Sequence, residues 1–450
     1  MNNIWKKVSS QEKEQIYNFA EEYKRFLNLC KTEREVVNYI TSVALENGYK
    51  DGFSNKSEKL IFSDKERIVA LYKKGVRSQK GGFNIIVSHI DSPRIDLKPR
   101  PIYEDSELVL LDTQYYGGIK KYQWFSIPLA IHGVILNKYG RKQYIVIGED
   151  NDDPVFTIAD LLPHLSRKVQ GNKPIDEALP GEKLDVLFGS VPMDGEKEEE
   201  IKKYALHILK EKYEIEEEDL VSADIEIVPA FKARDVGIDK SLIGGYGQDD
   251  RICVFCSLKA LMDIKENIHP ILLLFVDREE IGSFGNTSAK SKFLEIVVKK
   301  ILEMEEDIKP YDVEISLYNS RAISADVTSA VNPNFKEVDD LKNSAKLGHG
   351  VAIVKYTGSG GKYYASEASA EYTSYIRNLF NKNGVIWQTG ILGKVDEGGG
   401  GTVAMFLAEY GMDIIDVGPP ILNMHSPFEI SSKADLFMTY KAYKVFLESE

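Results

Sequence analysis

The stretch "ILLLFVDREEIGS", residues 271–283, decides the fold of this chain. Its opening apolar run is too short to cross a membrane and has the length of a strand buried on both faces. Glu279 and Glu280 follow shortly after, at the place where open α/β sheets keep their ligand crevice. A divalent cation would offset these adjacent like charges, with one carboxylate as ligand and the other free to move protons. An isolated Glu-Glu pair is more often a solvated turn, so the interpretation depends on the rest of the chain.

Strand and helix patterns alternate around this stretch. The predicted helices cover residues 11–47, 249–264, 291–304, 370–380 and 403–411. The predicted strands begin at residues 85, 270, 314 and 412, and the one from 314 runs into a loop at 326. Such alternation is typical of parallel sheets. The sequence therefore predicts an α/β fold in which helices sandwich a mainly parallel mixed sheet.

Residues 97–230 differ in character from the chain on either side. Short β-like runs at 107–113, 130–137 and 143–150 are separated by turn residues, and a charged helix follows near 196–212. The simplest architecture is one discontinuous domain, residues 1–96 and 231–450, interrupted by a β-rich insertion at 97–230. Two domains also suit a chain of 450 residues, which exceeds the usual size of a single core.

Composition excludes several partners and compartments. With 57 lysines and arginines against 70 aspartates and glutamates, the formal charge of −13 argues against nucleic acid or anionic membrane as the main partner. The N-terminal residues lack the apolar core of a signal peptide, so we expect a cytoplasmic protein. Three cysteines fit a reducing compartment, and the Cys253-x-x-Cys256 pair has no second pair with which to bind zinc. A structural role in a helix is the favoured interpretation for both.

Candidate ligands follow the other predicted strands or begin the predicted helices. His89 and Asp91 end the strand from residue 85, and a carboxylate near a ligand histidine can orient its ring. Asp249, with Asp250 beside it, begins a predicted helix, where helix capping and metal binding are comparable explanations. Asp326 and His425 each follow a predicted strand, and either residue taken alone would be ascribed a structural role.

The constellation is more informative than any one member. Strand ends and helix starts of one α/β domain are brought together by its crevice. Two histidines and four carboxylates would then suit a pair of zinc-like ions bridged by a shared carboxylate, a centre that hydrolyses amides. The six residues are His89, Asp249, Glu279, Glu280, Asp326 and His425.

Five segments in this order closely resemble the aspartyl aminopeptidase/aminopeptidase I family of di-metal exopeptidases. They are "SHIDSPRIDLKPRP" (88–101), "GYGQDDRIC" (245–253), "FVDREEIGS" (275–283), "ISADVTSAVNPNF" (323–335) and "DVGPPILNMHSPFE" (416–429). The resemblance implies a zinc exopeptidase-like fold, with the insertion as a dimerisation domain and a homo-oligomer built as a dimer-based dodecamer. It also implies two divalent metal ions per subunit, zinc or else cobalt or manganese.

The resemblance implies a role for each matching residue. The residues that match the metal ligands of the family are His89, Asp249 (as the bridging carboxylate), Glu280, Asp326 and His425. Glu279 matches the general base that takes a proton from the bridging water, and Asp91 matches the carboxylate behind the ligand histidine. Substrate contacts are matched by His164, His349 and Lys355, of which His164 lies in the insertion and could serve a neighbouring subunit.

Two departures put a strict preference for aspartate in doubt. Asn332 stands where the family often has histidine, and the segment after Lys355 is more similar to the bacterial aminopeptidase I branch. The preferred N-terminal residue is therefore acidic or apolar, with Lys355 as the candidate partner of an acidic side chain. The run Gly398–Gly401 would let backbone approach a ligand closely, although a flexible loop explains it equally well.

The predicted function is a metalloaminopeptidase that takes peptides with a free N-terminus. A related di-metal deacylase of N-acyl amino acids or a carboxypeptidase is the alternative within hydrolases. A third hypothesis is a catalytically silent metal-binding scaffold, against which the retention of Glu279 and of every ligand-matching position argues.

Overall fold

The computed structural model describes residues 3–305 and 307–450. The α-helices in those residues are α1 (Ser10–Leu29), α2 (Glu33–Glu46), α3 (Pro163–Val169), α4 (Ile175–Ala178), α5 (Glu200–Tyr213), α6 (Gln248–Asp263), α7 (Phe293–Leu302), α8 (Asp312–Tyr318), α9 (Ala370–Lys382), α10 (Ala404–Ala408) and α11 (Lys433–Leu447).

The strands of the described residues form three sheets. They are β1 (Lys50–Asp51), β2 (Lys59–Asp64), β3 (Ile68–Lys73), β4 (Asn84–His89), β5 (Arg94–Asp105), β6 (Leu108–Tyr116), β7 (Leu129–Leu136), β8 (Lys142–Ile147), β9 (Val186–Gly189), β10 (Asp224–Pro229), β11 (Arg234–Val236), β12 (Leu242–Gly245), β13 (Ile271–Val276), β14 (Arg321–Ser324), β15 (Thr328–Ser329), β16 (Val351–Val354), β17 (Trp387–Thr389), β18 (Asp413–Gly418), β19 (Pro420–Leu422) and β20 (Glu429–Ser432).

The described chain divides into two compact units. Unit 1 comprises the residues up to Ser92, Ala233–Met424 and Phe428–Glu450, and unit 2 comprises Pro93–Lys232 with His425–Pro427. Unit 2 therefore includes the residues proposed from the sequence as an insertion, together with a short piece of chain that contains His425.

Unit 1 is built on a nine-stranded sheet in the order β1-β2-β3-β13-β4-β14-β18-β16-β17. The central strands β13, β4, β14 and β18 run parallel, and β3 and β16 flank them antiparallel. Strands β13 and β4 are buried at every residue, because apolar cores cover both faces of the sheet. The predicted mixed, mainly parallel α/β sheet with helices on its faces is confirmed.

The N-terminal segment predicted as helical at 11–47 forms two helices. Each begins with a capping box, in which Ser9 pairs with Glu12 and Thr32 with Glu35. The side chain at the cap accepts the N–H three residues on, while the glutamate accepts the N–H of the cap. The second box starts a new helix at Glu33, which explains the break after Leu29.

The strand predicted from residue 314 is wrong over its first part. Residues Asp312–Tyr318 form α8, and the strand β14 begins only at Arg321. Asp312 accepts the N–H of Lys309 at 2.9 Å, which stabilises the start of a helix. The apolar and polar residues of this short segment alternate, and a run of that length cannot distinguish a strand from one buried helical turn.

Unit 2 contains a six-stranded antiparallel sheet in the order β8-β7-β10-β5-β6-β9. Three of its strands correspond to the predicted β-like runs, and α5 corresponds to the predicted charged helix. Ile201, Ala205 and Leu209 are the buried residues of α5 and lie at helical spacing, which leaves its charged residues on the other side.

The three cysteines are buried free thiols. Cys253 and Cys256 lie on the inner part of α6, and the thiol of Cys256 donates to the carbonyl of Leu436 at 3.4 Å. Burial raises the pKa of both thiols well above the ordinary value, so they stay protonated. This placement agrees with a structural role for the pair. None of the helices in the described residues has the length and apolar character needed to cross a bilayer.

Candidate metal centre

Three neighbouring strands of unit 1 end at one edge of the sheet. β4 ends at His89, which lies opposite Val276, the last residue of the parallel strand β13. The chain leaving β13 carries Glu279 and Glu280 in a short 3-10 turn. On the other side of β4, the parallel strand β14 leads to Asp326. The carboxyl ends of adjacent parallel strands thus bring one histidine and three carboxylates to the same edge.

Asp249 reaches the site from the start of α6, where the backbone has not yet become helical (φ −81°, ψ 109°). Gly247, two residues earlier, has φ of +71°, a conformation that favours glycine, and a Cβ there would lie 1.9 Å from Nη1 of Arg251 and would displace that guanidinium. The hydroxyl of Ser92 donates to the Asp249 carbonyl at 2.7 Å. The Asp249 N–H donates to the carboxylate of Glu429 at 3.1 Å. These bonds fix the backbone from which the carboxylate projects.

Two groups of donor atoms could each hold a metal ion. The first comprises His89, Asp249 and Glu280, and the second comprises His89, Asp250 and Asp326. Within each group the ligand atoms lie within 4.8 Å of one another. Imidazole nitrogen and carboxylate oxygen are donors that zinc accepts, and the residues are buried or half-buried. The residues present therefore fit a zinc ion by donor type and by convergence.

The carboxylate of Asp91 holds the glutamate pair in place. One oxygen accepts the N–H of Glu279 at 3.1 Å and the other accepts the N–H of Glu280 at 3.2 Å. The backbone carbonyl of Asp91 lies 3.0 Å from Nδ1 of His89. A neutral ring that donates from Nδ1 presents the lone pair of Nε2, the form in which histidine binds a metal. Nε2 lies 3.1 Å from Oδ1 of Asp249, inside the first donor group.

The carboxylates at this edge repel one another. Burial would lower the pKa of His89, but its bonds to Asp249 and Asp91 raise that pKa well above the usual value. Burial raises the pKa of Asp326 well above its usual range, and the charges of Asp249 and Glu279 add to the effect. Glu279 belongs to neither donor group, yet its charge acts on both His89 and Asp326. A bound cation would relieve this repulsion.

A buried ion-pair network supports the turn beneath the glutamate pair. The guanidinium of Arg67 donates from Nε to Asp277 at 2.9 Å and pairs with Glu33. Thr287 donates its hydroxyl to the same Asp277 oxygen at 3.0 Å. Asp277 follows β13 directly, so these bonds fix the chain two residues before Glu279.

His425 and His164 lie in unit 2. Nδ1 of His425 lies 3.0 Å from the carbonyl oxygen of Gly118, and His425 belongs to neither donor group. His164 lies on the exposed helix α3, which contains no buried residue. The metal role of His425 and the substrate role of His164 stay predictions.

His349 and Lys355 lie in unit 1, away from the donor groups in the chain and in neither of them. His349 lines a cavity of about 470 Å³ with Trp387 and Lys441, and none of the donor residues lines that cavity. Lys355 lies 3.8 Å from the carboxylate of Glu367. The substrate roles predicted for both residues also stay predictions.

Asp250 is the donor that the sequence reasoning did not assign. It is fully buried. Burial raises its pKa well above the usual range, and the charge of Asp326 contributes. The available signal was its position beside Asp249, but two adjacent aspartates at a helix start are also explained by capping.

The family description "Aminopeptidase I zinc metalloprotease (M18)" matches residues 26–447. The chain belongs to this family. A probable M18 family aminopeptidase 1 of Borrelia garinii is 50% identical over 451 residues, covering 99% of this chain and 98% of the relative. Membership confirms the predicted family and the prediction that the chain is a metallopeptidase of the aminopeptidase type.

Solved structures of the family share the fold. The crystal structure of an M18 aminopeptidase from Thermotoga maritima superposes with a TM-score of 0.95 at 47% identity, over 100% of this chain and 99% of that one. The structure of the S. cerevisiae mApe1 dodecamer gives a TM-score of 0.76 at 22% identity, over 95% of each chain. The second likeness is one of fold alone.

Proposed function

We propose that this M18 metalloaminopeptidase removes one residue at a time from the free N-terminus of peptides with a two-metal centre. The observation that carries the proposal is the convergence of His89, Asp249 and Glu280 within 4.8 Å, beside Glu279. The family membership supports zinc as the metal.

The ligand set proposed is His89, Asp249, Glu280, Asp326 and His425, with Asp249 as the shared carboxylate. Five protein ligands exceed the three that one catalytic zinc ion usually takes, which supports two ions. Bound zinc would polarise the scissile carbonyl and make water acidic enough to attack it at neutral pH. Cobalt or manganese would bind the same donor types.

Glu279 is proposed as the general base. It lies outside the two donor groups, half-buried, with its backbone N–H held by Asp91 at 3.1 Å. Its carboxylate would take a proton from the attacking water and pass it to the departing amine as the peptide bond breaks. The surrounding acidic residues would bind the positively charged N-terminus of the substrate, which limits cleavage to the first residue.

We propose that the enzyme prefers an apolar first residue to an acidic one. Lys355 is the candidate partner for an acidic side chain, but its Nζ lies 3.8 Å from the carboxylate of Glu367. Lys362 donates to the same Glu367 oxygen at 2.9 Å. A lysine already near a carboxylate attracts a second one less strongly. Asn332 in place of the family's frequent histidine agrees with this preference.

We also propose a homo-oligomer, a dimer-based dodecamer in which residues 97–230 form the dimer contacts. The S. cerevisiae relative is a dodecamer by its description. Around His164, Leu161, Leu162 and Leu165 are between 41% and 61% exposed, which supports burial of this segment by another copy. The free thiols agree with a cytoplasmic location.

The test is the hydrolysis of leucyl and aspartyl p-nitroanilides by Glu279→Gln. The amide keeps the shape of the carboxylate but cannot accept a proton, so we expect kcat to fall by about 10²–10⁴-fold. Glu58→Gln, at an exposed position, is the control for loss of one acidic charge. Full activity in Glu279→Gln would refute the mechanism. Release of acetate from N-acetyl-leucine, with leucyl p-nitroanilide left uncleaved, would favour the deacylase alternative.

A further inference from the structure

Two loops of unit 1 pack backbone to backbone. We call residues 355–364 the tyrosine loop and residues 396–402 the glycine loop. The N–H of Gly358 donates to the carbonyl of Gly400 at 2.7 Å. At Gly399, where φ is +133°, a Cβ would lie 2.1 Å from the carbonyl oxygen of Gly358. The glycines therefore allow the two loops to touch, and this hydrogen bond joins them.

Thr402, the last residue of the glycine loop, attaches this pair to the sheet. Its hydroxyl donates to Oδ1 of Asp416 at 2.7 Å. Asp416 is 3% exposed and lies in β18, opposite Ser324 of β14. A hydrogen bond to a buried carboxylate is among the stronger ones in proteins, because the acceptor is charged and has little water around it.

The attachment point adjoins the metal centre. Asp326 follows β14 by two residues, and a Cβ at Gly418, two residues beyond Asp416, would lie 1.9 Å from the carbonyl oxygen of Asp326. The loop pair is thus attached to the sheet beside the segment that carries Asp326, one of the proposed metal ligands.

We propose that Thr402 is a positioning residue, which holds the tyrosine and glycine loops as the wall against which the first side chain of the substrate packs. The proposal rests on the aminopeptidase function proposed above. Tyr363 and Tyr364, at 69% and 78% exposure, give the tyrosine loop aromatic surface that an apolar side chain could cover. Without the hydroxyl of Thr402, the wall loses its hydrogen bond to the sheet, while the metal donors keep theirs.

The experiment compares Thr402→Val with Thr402→Ser on leucyl and alanyl p-nitroanilides. Valine keeps the shape and removes the hydroxyl, whereas serine keeps the hydroxyl. For Thr402→Val we expect kcat/KM on the leucyl substrate to fall about tenfold, mainly through KM, which corresponds to about 1.4 kcal/mol. The alanyl substrate, with almost no side chain to reach the wall, should change less than threefold. Thr402→Ser should restore the leucyl rate, and bound zinc should equal that of the wild type.

Thr113→Val is the matched control, because it removes a buried threonine hydroxyl that donates to a carbonyl in unit 2. Equal losses on leucyl and alanyl substrates, or a loss in Thr402→Val that Thr402→Ser does not rescue, would overturn the inference. Wild-type kinetics in Thr402→Val would also overturn the inference, and in that case the proposed function would stand. A wild-type enzyme that cleaves none of the free aminoacyl amides would overturn the proposed function, and this role of Thr402 with it.

Discussion

Replacing Asp91 by asparagine should weaken zinc binding and activity together. The Asp91 side chain is fully buried, and its two oxygens accept the N–H groups of Glu279 and Glu280 at 3.1 and 3.2 Å. Asparagine offers only one oxygen, so one of these N–H groups would face an NH₂ group. A buried donor left without its acceptor costs about 1–3 kcal/mol.

The position of Asp91 beside His89, a proposed metal ligand, gives an independent estimate of the expected loss in zinc affinity. Loss of a group that orients metal ligands typically reduces metal affinity or activity about 10–100-fold. At about 1.4 kcal/mol for each factor of ten, that range corresponds to about 1.4–2.8 kcal/mol, which overlaps the cost of the lost hydrogen bond. We therefore expect Asp91→Asn to lose one to two orders of magnitude in both zinc affinity and kcat/KM.

The assay is competition for zinc against a chelating dye, with urea unfolding of the same samples. Asp219→Asn is the matched control, since Asp219 is also buried and also accepts two backbone N–H groups, from Lys138 at 3.2 Å and Glu216 at 2.9 Å. Both variants should lose about 1–3 kcal/mol of unfolding free energy. Only Asp91→Asn should lose zinc affinity. If the two variants bind zinc with equal affinity, Asp91 stabilises the turn at Glu279 and Glu280 but does not contribute to zinc binding.

Two further predictions concern stability. Burial raises the pKa of Asp435 to about 8, although the N–H groups of Gly348 and Gly350 donate to it. The folded chain then binds the proton of the Asp435 carboxyl group more tightly than the unfolded chain does. The resulting contribution to the free energy of unfolding is complete below about pH 4 and declines as the pH rises to 8. Urea unfolding at pH 5, 6.5 and 8 should show this decline in the wild type. The decline should be shallower in Asp435→Asn, because asparagine cannot titrate. Equal slopes of unfolding free energy against pH in the two proteins would contradict the prediction. Gly247→Ala should lower the free energy of unfolding by at least about 1 kcal/mol in the same assay, because φ is +71° and the new Cβ would strike Arg251. A variant as stable as the wild type would contradict this prediction and show that the turn can relax.

The strand ends made much of the site predictable. A buried apolar run followed by acidic residues predicts where Glu279 and Glu280 lie, since the carboxyl ends of parallel strands share one edge. His89 and Asp326 follow the same rule, and the structure places a donor atom of His89 with those of Asp249 and Glu280 in one group and with those of Asp250 and Asp326 in the other. These predictions required only the order of the elements along the chain and the direction of the strands.

Side-chain directions beyond the strand ends were not predictable. Asp250 contributes to a donor group because the backbone at Asp249 and Asp250 is not helical, a property that the sequence does not reveal. Arg67 pairs with Glu33, 34 positions away along the chain, and with Asp277, 210 positions away. No local sequence pattern relates such partners. The bond from Thr402 to Asp416 is of the same kind. The helix α8 was mispredicted for the opposite reason, because its local pattern fitted two structures.

The most direct test of the central claim is the rate of leucyl p-nitroanilide hydrolysis after removal of metal and its return. Purified protein is treated with a chelator, dialysed, and assayed as increasing amounts of zinc are added. We expect no detectable hydrolysis without metal and full recovery once two equivalents per chain are bound. Glu279→Gln should bind the same two equivalents and stay inactive. Hydrolysis that persists in metal-free protein, or recovery in Glu279→Gln, would contradict this expectation.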